Sequence, residues 1–366
     1  MGVEIALAPF FPRNSIECLL LDRTISEFCS QVQSSFDHAM RKAALLYNPD
    51  SGGSGRRRLT ELKSALAVLR DGGVEADLVP TDSPRHAGEQ TRHAIDSGCD
   101  TIFACGGDGT IHNIIQILVS TRVCLGILPL GTANALAHDL GLPLNITAAA
   151  KAALTAKPWR VPVGRVDYAD LEGKSGSRYF IVAAGVGVDA HLFYKLHTGT
   201  KQRMGIAAYY AKAWHMWFTY PMTRFAVDYV ENGSNAPARA VVTELMGVRI
   251  RNFGGVLREF VPGASLDQNY IRLVFCRTAS RLTYLAYVTG ALLRQRWKIP
   301  GVDLVSSTKA SCQYQTDSPS SQYPQKIDQR KTAQQKIYVE ADGELLGTLP
   351  AEITVVPDAL TLLTPS

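Results

Sequence analysis

Thr101-Ile102-Phe103-Ala104-Cys105-Gly106-Gly107-Asp108-Gly109-Thr110-Ile111-His112 is the stretch whose reading decides the fold. A short apolar run ends abruptly at paired glycines, and a helical run from Ile111 to Ser120 follows. Strand, glycine turn and helix in that order form the repeating unit of a parallel sheet. The unit recurs on both sides. Upstream, Ala43 to Tyr47 reads as a buried strand that runs into the polar loop Asn48 to Gly55. Leu59, Leu62, Leu66 and Leu69 then recur at helical spacing as far as Gly72-Gly73, a helix stop. Val74 to Val79 is a second strand, and His86 to Ser97 is a second helix stopped at Gly98. Downstream, Cys124 to Leu128 is a fourth strand. The alternation predicts a doubly wound sheet covered by helices on both faces.

In such a sheet, ligands bind at the carboxyl ends of the strands. Three glycine-bearing loops fall there: Asn48-Pro49-Asp50-Ser51-Gly52-Gly53, Gly106-Gly107-Asp108-Gly109-Thr110 and Gly131-Thr132-Ala133-Asn134. Loops of this kind present backbone N–H groups and helix N-termini to phosphate, and glycine allows close approach. Ser51, Thr110 and Thr132 add hydroxyls. Asp108 would repel a phosphate unless a cation stood between them, so it points to Mg²⁺. One glycine turn after a strand has an ordinary structural explanation. Three on one sheet edge, one with an embedded carboxylate, favour a phosphate site. The pattern GxxxxGK[ST] is absent, which excludes a P-loop enzyme.

After about Pro158 the rhythm changes. Val161 to Tyr168, Tyr179 to Ala184, Thr223 to Val230, Val241 to Ile250 and Ile271 to Cys276 read as strands of an antiparallel β region. Helical stretches interrupt it at Met204 to Phe218 and Arg281 to Trp297. Residues 311–335, polar and poor in aliphatics, read as a flexible insertion. Deleting 313–334 is expected to spare folding and basal activity. The net charge of +5 is too small to argue for nucleic acid, but it suits an anionic nucleotide and an anionic membrane surface. Seven scattered cysteines without a CxxC pair read as buried free thiols in a reducing cytoplasm. The longest apolar candidate, Leu282 to Leu293, is too short to span a bilayer. Contact with lipid would therefore be peripheral and transient, made from the cytoplasmic side.

At these residues the chain resembles the diacylglycerol kinase catalytic family, which includes sphingosine and ceramide kinases and bacterial soluble lipid kinases. GGDGT at 106–110 is shared with the structurally related NAD kinases and phosphofructokinases. NPxSG at 48–52 and Asp342-Gly343-Glu344 select the lipid kinases within that group. The family pattern also covers Thr81 with His86-Ala87, Gly185 to Ala190, and Gly205 with Tyr209.

The resemblance implies an α/β nucleotide-binding domain at 41–158, like that of NAD kinase and phosphofructokinase. A β-sandwich lipid-substrate domain at 159–353 would follow. A last strand, about 354–366, would return to the first domain, and residues 1–40 would be an extension of unknown role. It implies ATP and Mg²⁺ as cofactors. Asn48, Ser51, Gly52, Thr81, Gly106, Gly107, Asp108, Gly109, Thr110, Gly131, Thr132 and Asn134 would lie around the nucleotide. Asp108 would work with the metal, and Glu344 would be the general base. The substrate would be a lipid, diacylglycerol in the first place and a sphingoid or ceramide lipid in the second. A homodimer is compatible with all of this.

Two positions depart from the family. Asn134-Ala135 stands where many bacterial members have Asn-Asp, removing one carboxylate near the metal. Gln268-Asn269 stands where several have Asp-Gly, whose Asp ligates a structural Mg²⁺. Gln is a poorer ligand for a hard cation, so no structural Mg²⁺ is expected here. These departures support a nucleotide-binding pseudokinase as the alternative, and the presence of Asp108 and Glu344 argues against it. Arg56-Arg57-Arg58 reads as a solvated helix start, with an approach to the ATP phosphates as the alternative, and His112 as a local feature of the turn after GGDGT and not a metal ligand. Arg294, Arg296, Trp297 and Lys298 divide between a membrane-interface patch and a solvated helix end.

Overall fold

The computed structural model describes residues 40–49, 55–187, 222–234, 236–254, 261–292, 300–315 and 336–365. The sequence elements at Met204 to Phe218, Ser51 and Gly52, Val188 to Ala190, Gly205, Tyr209 and Arg294 to Lys298 lie outside them, as do residues 1–39.

The first strands are β1 (Lys42–Tyr47), β2 (Glu75–Pro80), β3 (Thr101–Gly106) and β4 (Cys124–Pro129). They pair in parallel in the order β2-β1-β3-β4. Helices α1 (Gly55–Asp71), α2 (Pro84–Asp96) and α3 (Asp108–Leu118) connect them. Successive side chains of a strand point to opposite faces, so a strand covered on both sides is apolar throughout. In β1, Ala43 and Leu45 join Leu62, Ala65 and Leu69 of α1 in one core. Ala44 and Leu46 join Ile111, Ile114, Ile115 and Leu118 of α3 in the other. Each burial lowers the free energy by about 1.5–3 kcal/mol for a large aliphatic side chain.

Two short helices follow, α4 (Ala135–Asp139) and α5 (Ile146–Ala153). The chain then becomes β-rich: β5 (Lys157–Ala169), β6 (Ser175–Phe180), β7 (Ala183–Gly187), β8 (Phe225–Glu231), β9 (Pro237–Val242), β10 (Glu244–Val248) and β11 (Ile271–Cys276). Helix α6 (Arg281–Leu292) precedes β12 (Val302–Tyr314), β13 (Tyr338–Ala341) and β14 (Glu344–Thr364). Pairing runs β14-β13-β7-β10-β11-β12, and β12 pairs with β14 again through Lys309–Cys312, so the ladder closes on itself. Its interior is a separate apolar core that includes Phe180, Val186, Phe225, Leu273, Phe275 and Ile353. β14 is long enough to serve both regions: Thr361 and Leu362 pair in parallel with Cys124 and Leu125 of β4.

Three sequence boundaries are corrected. The single strand read at Tyr179–Ala184 is two, β6 and β7, because the N–H groups of Ile181, Val182 and Ala183 bond to the Asp342 carboxylate and not along the strand. The strand read at Val241–Ile250 breaks at Thr243, whose N–H and hydroxyl both donate to the Cys276 carbonyl. Residues 311–314 are the end of β12 and not insertion: Cys312 is fully buried and faces Val227 and Ala351. A deletion starting at 313 would clip this strand, so the cut should begin at 316.

Five cysteines (Cys99, Cys105, Cys124, Cys276 and Cys312) are buried free thiols. Burial pushes the Cys124 thiol up to about 12, so it stays protonated and unreactive. Among the described residues, no helix is long and apolar enough to cross a membrane.

Candidate active site

Two of the glycine loops, 106–110 and 131–134, meet at the carboxyl edge of the parallel strands. Gly107 caps α3, with Thr110 and Ile111 donating their N–H groups to its carbonyl. The N–H of Leu130 donates to the Gly106 carbonyl, which brings the loop after β4 beside the loop after β3. A Cβ on Gly107 would stand 3.1 Å from Gly131 Cα, and one on Gly131 would overlap Gly107 and come within 2.7 Å of Asn134 Oδ1. The two backbones touch because neither carries a side chain. Gly131→Ala should therefore displace both loops and cost roughly 2–3 kcal/mol, read as a fall in Tm with loss of nucleotide binding. Unchanged binding in a folded Gly131→Ala protein would show that this contact is not part of the site.

Asn134 holds the third loop in shape. It sits in the left-handed region at φ 49° and ψ 45°. Its Oδ1 accepts from Gly131 N–H at 2.9 Å, and its Nδ2 donates to the Gly131 carbonyl at 2.9 Å. The amide is committed to the loop's own backbone, whereas Gly131, Thr132 and Ala133 are exposed. Thr81 is buried and its hydroxyl donates to the Tyr47 carbonyl at 3.2 Å, tying the ends of β1 and β2 together. No contact joins Thr81 to the GGDGT loop among the described hydrogen bonds. Asn48 lies at the end of β1, partly buried.

Asp108, the first residue of α3, accepts weak hydrogen bonds from Ala135 N–H at 3.2 Å and Leu136 N–H at 3.4 Å. It thus bridges the GGDGT loop and α4. Burial raises its pKa above the ordinary carboxylate value, the two N–H groups oppose that rise, and the nearby Asp342 charge adds to it. A buried carboxylate beside a second one is a site that would gain from a cation. No cluster of three His, Cys, Asp or Glu side chains is present among the described residues. A divalent ion at Asp108 would complete its shell with phosphate oxygens and water, the usual manner of Mg²⁺.

Asp342-Gly343 is a two-residue hairpin turn between β13 and β14, with φ values of 49° and 82°. The Asp342 side chain, 1% exposed, accepts from Ile181, Val182 and Ala183 N–H and meets His112 Nδ1 at 3.3 Å. Gly343 N–H donates to Glu340 Oε2 at 2.9 Å. The turn is thus clamped between β7 and α3. Its next residue, Glu344, brings Oε1 to 3.3 Å from the position a Cβ on Gly109 would take. The carboxylate stands against the glycine loop itself.

Four residues at this site carried no signal in the sequence strong enough to assign a role. Asp342 belonged to a recognised motif, but its four donors come from remote segments. His112 is buried against Asp342 and is more than a local turn feature. Arg58 reaches across to the Leu130 carbonyl at 2.8 Å, so one of the three arginines in the α1 start is tied to the residue that precedes the third loop. Asp139 accepts from Arg251 and Asn252 N–H at 2.9 and 2.8 Å, fastening α4 to the β-rich region.

A parallel sheet whose strand ends carry touching glycine loops and a buried carboxylate is an α/β arrangement suited to a phosphate group. Residues 42–166 match the family model described as the diacylglycerol kinase catalytic domain. A protein named diacylglycerol kinase from Staphylococcus epidermidis is 25% identical over 327 residues, 89% of this chain and 92% of its own length. One of the same name from Staphylococcus saprophyticus is 25% identical over 89% of this chain and 96% of its own. Among solved structures, a diacylglycerol kinase from Bacillus anthracis shares the fold, with a TM-score of 0.59, 18% identity, and coverage of 90% of this chain and 98% of its own. The chain is thus similar to diacylglycerol kinases over most of its length, and residues 42–166 carry the match to their catalytic domain.

Proposed function

We propose that this protein transfers the γ-phosphoryl group of Mg-ATP to the hydroxyl of a membrane lipid, with diacylglycerol as the first choice of substrate. The observation that carries this reading is the approach of Glu344 Oε1 to Gly109, which sets a carboxylate beside the loop best suited to hold phosphate. Glu344 takes the proton from the lipid hydroxyl as its oxygen bonds to the γ-phosphorus, and the bond to the β-phosphate oxygen breaks to release ADP. The 106–110 and 131–134 loops hold the phosphates through backbone N–H groups, with Thr110 and Thr132 adding hydroxyls. Asn134 keeps the third loop in its left-handed turn. Asp108 would hold the metal. When bound, Mg²⁺ would neutralise charge on the phosphates.

In this reading residues 41–158, with the end of β14, form the nucleotide domain. The β-rich region, read as a β-sandwich, carries the lipid. The protein works at the cytoplasmic face of the membrane, docking peripherally. The names of the Staphylococcus proteins support diacylglycerol; the family's breadth keeps sphingosine and ceramide as the second reading.

The test is γ-phosphate transfer from labelled ATP, with Mg²⁺, to micellar diacylglycerol, ceramide, sphingosine, monoacylglycerol and undecaprenol, with NAD as control. Label in diacylglycerol alone supports the proposal, and label in a sphingoid lipid moves the assignment to that class. Clear ATP binding with no labelled lipid favours the pseudokinase reading.

A further inference from the structure

Arg249, just past β10, is completely buried. Such a charge is costly unless it is neutralised or fully hydrogen-bonded. Among the described residues, no carboxylate forms an ion pair with it. Four backbone carbonyls converge on it. Nη1 donates to Gln268 O and Tyr270 O, both at 2.7 Å. Nη2 donates to Pro162 O at 2.8 Å and Leu266 O at 3.1 Å. Three of the four belong to the 265–270 loop, and the fourth to β5. Burial lowers the Arg249 pKa to about 10, so the side chain remains a cation at neutral pH.

This loop is where several family members hold a structural Mg²⁺, and the residues here do not fit that ion. The carbonyls that could face a metal already point at a guanidinium, and a divalent ion among them would lie within a few ångströms of a fixed positive charge. The side chain of Gln268 turns away and donates to Asp267 Oδ1 at 3.1 Å. Asp267 is exposed and attracts Arg249 only from a distance.

We infer that Arg249 supplies the positive charge around which the 265–270 loop folds, so that in this protein a covalently attached guanidinium takes the place of a structural metal ion. The loop's neighbours give this a consequence for the site. Arg251 Nη2 lies 3.4 Å from Ser265 Oγ, and the Arg251 N–H donates to Asp139 at the end of α4. Support for α4, and through it for Asp108, then needs no divalent ion.

Thermal unfolding of the full chain without nucleotide tests this. The wild-type protein should melt at the same temperature, within about 1 °C, in EDTA and in millimolar Mg²⁺ or Ca²⁺. Running Asp108→Asn in parallel separates any ion held at the catalytic carboxylate. Arg249→Met should lower Tm by roughly 5 °C or more, since four carbonyls lose their donors together. If that variant cannot be purified folded, Arg249→Lys, which keeps the charge with fewer donors, should show a smaller loss. Adding Gln268→Asp to Arg249→Met should create a Tm that rises with Mg²⁺. A Mg²⁺-dependent rise that persists in Asp108→Asn would overturn the inference. So would an Arg249→Met protein as stable as wild type in EDTA.

Discussion

Glu344→Gln should lower turnover by roughly a hundred- to ten-thousand-fold, the range a positioned general base contributes, while the protein stays folded. The carboxylate is partly exposed at the first position of β14. The turn before it is shaped by the left-handed Asp342 and by Gly343, and fastened by the Asp342 and Glu340 carboxylates. Removing the Glu344 charge leaves those contacts in place. The loss should therefore fall on kcat, with KM for ATP little changed, because the base acts only as the hydroxyl loses its proton. Steady-state kinetics on the lipid identified by the labelling experiment provide the check. Near-wild-type turnover in Glu344→Gln would remove it as the base and leave the phosphate loops as the only part of the mechanism to test. Asp342→Asn is the contrasting variant. Its carboxylate accepts three backbone N–H groups, and weakening it should lower both Tm and turnover.

Asp108→Asn should separate stability from activity. Turnover should fall by a hundredfold or more, because a neutral amide is a poor ligand for Mg²⁺. Stability should move the other way. The folded-state pKa of Asp108 lies above its ordinary value, chiefly because of burial. A raised pKa means that the folded protein holds the proton more tightly than the unfolded chain. The stabilising contribution is therefore complete below the ordinary carboxylate pKa of about 3.9, and is lost as the pH rises through the folded value. Burial penalises the charged form of this carboxylate, and Asn removes the charge while keeping one oxygen to accept from Ala135 or Leu136. The Tm of Asp108→Asn should equal or exceed that of wild type at pH 7.5, and the difference should shrink towards pH 4. A lower Tm at both pH values would mean that the two N–H contacts outweigh the cost of burial. Sites that trade stability for chemistry in this way are common in enzymes.

Legibility from sequence varied along the chain for physical reasons. β1 to β4 with α1 to α3 could be read because their signals are local: continuous apolar strands, leucines at helical spacing, and glycines at each stop. The break between β6 and β7 could not. Ile181 and Val182 are good strand residues, and their N–H groups leave the ladder only because a carboxylate from the β13–β14 turn arrives beside them. Residues 311–314 show the converse. Their composition is that of a loop, yet Cys312 alternates inward with Ala310, and pairing with β8 and β14 makes them strand.

The sequence by itself determined the doubly wound sheet, the glycine loops after β3 and β4 and the resemblance to diacylglycerol kinases, because strand and helix periods and glycine's conformational freedom act over a few residues. Only the tertiary structure decided that Glu344 stands against Gly109, that Asp342 is clamped by three backbone N–H groups and His112, and that Arg249 is the cation of the 265–270 loop. Those contacts join segments remote in sequence. A carboxylate or guanidinium carries no mark of which distant backbone groups will surround it once the strands have paired.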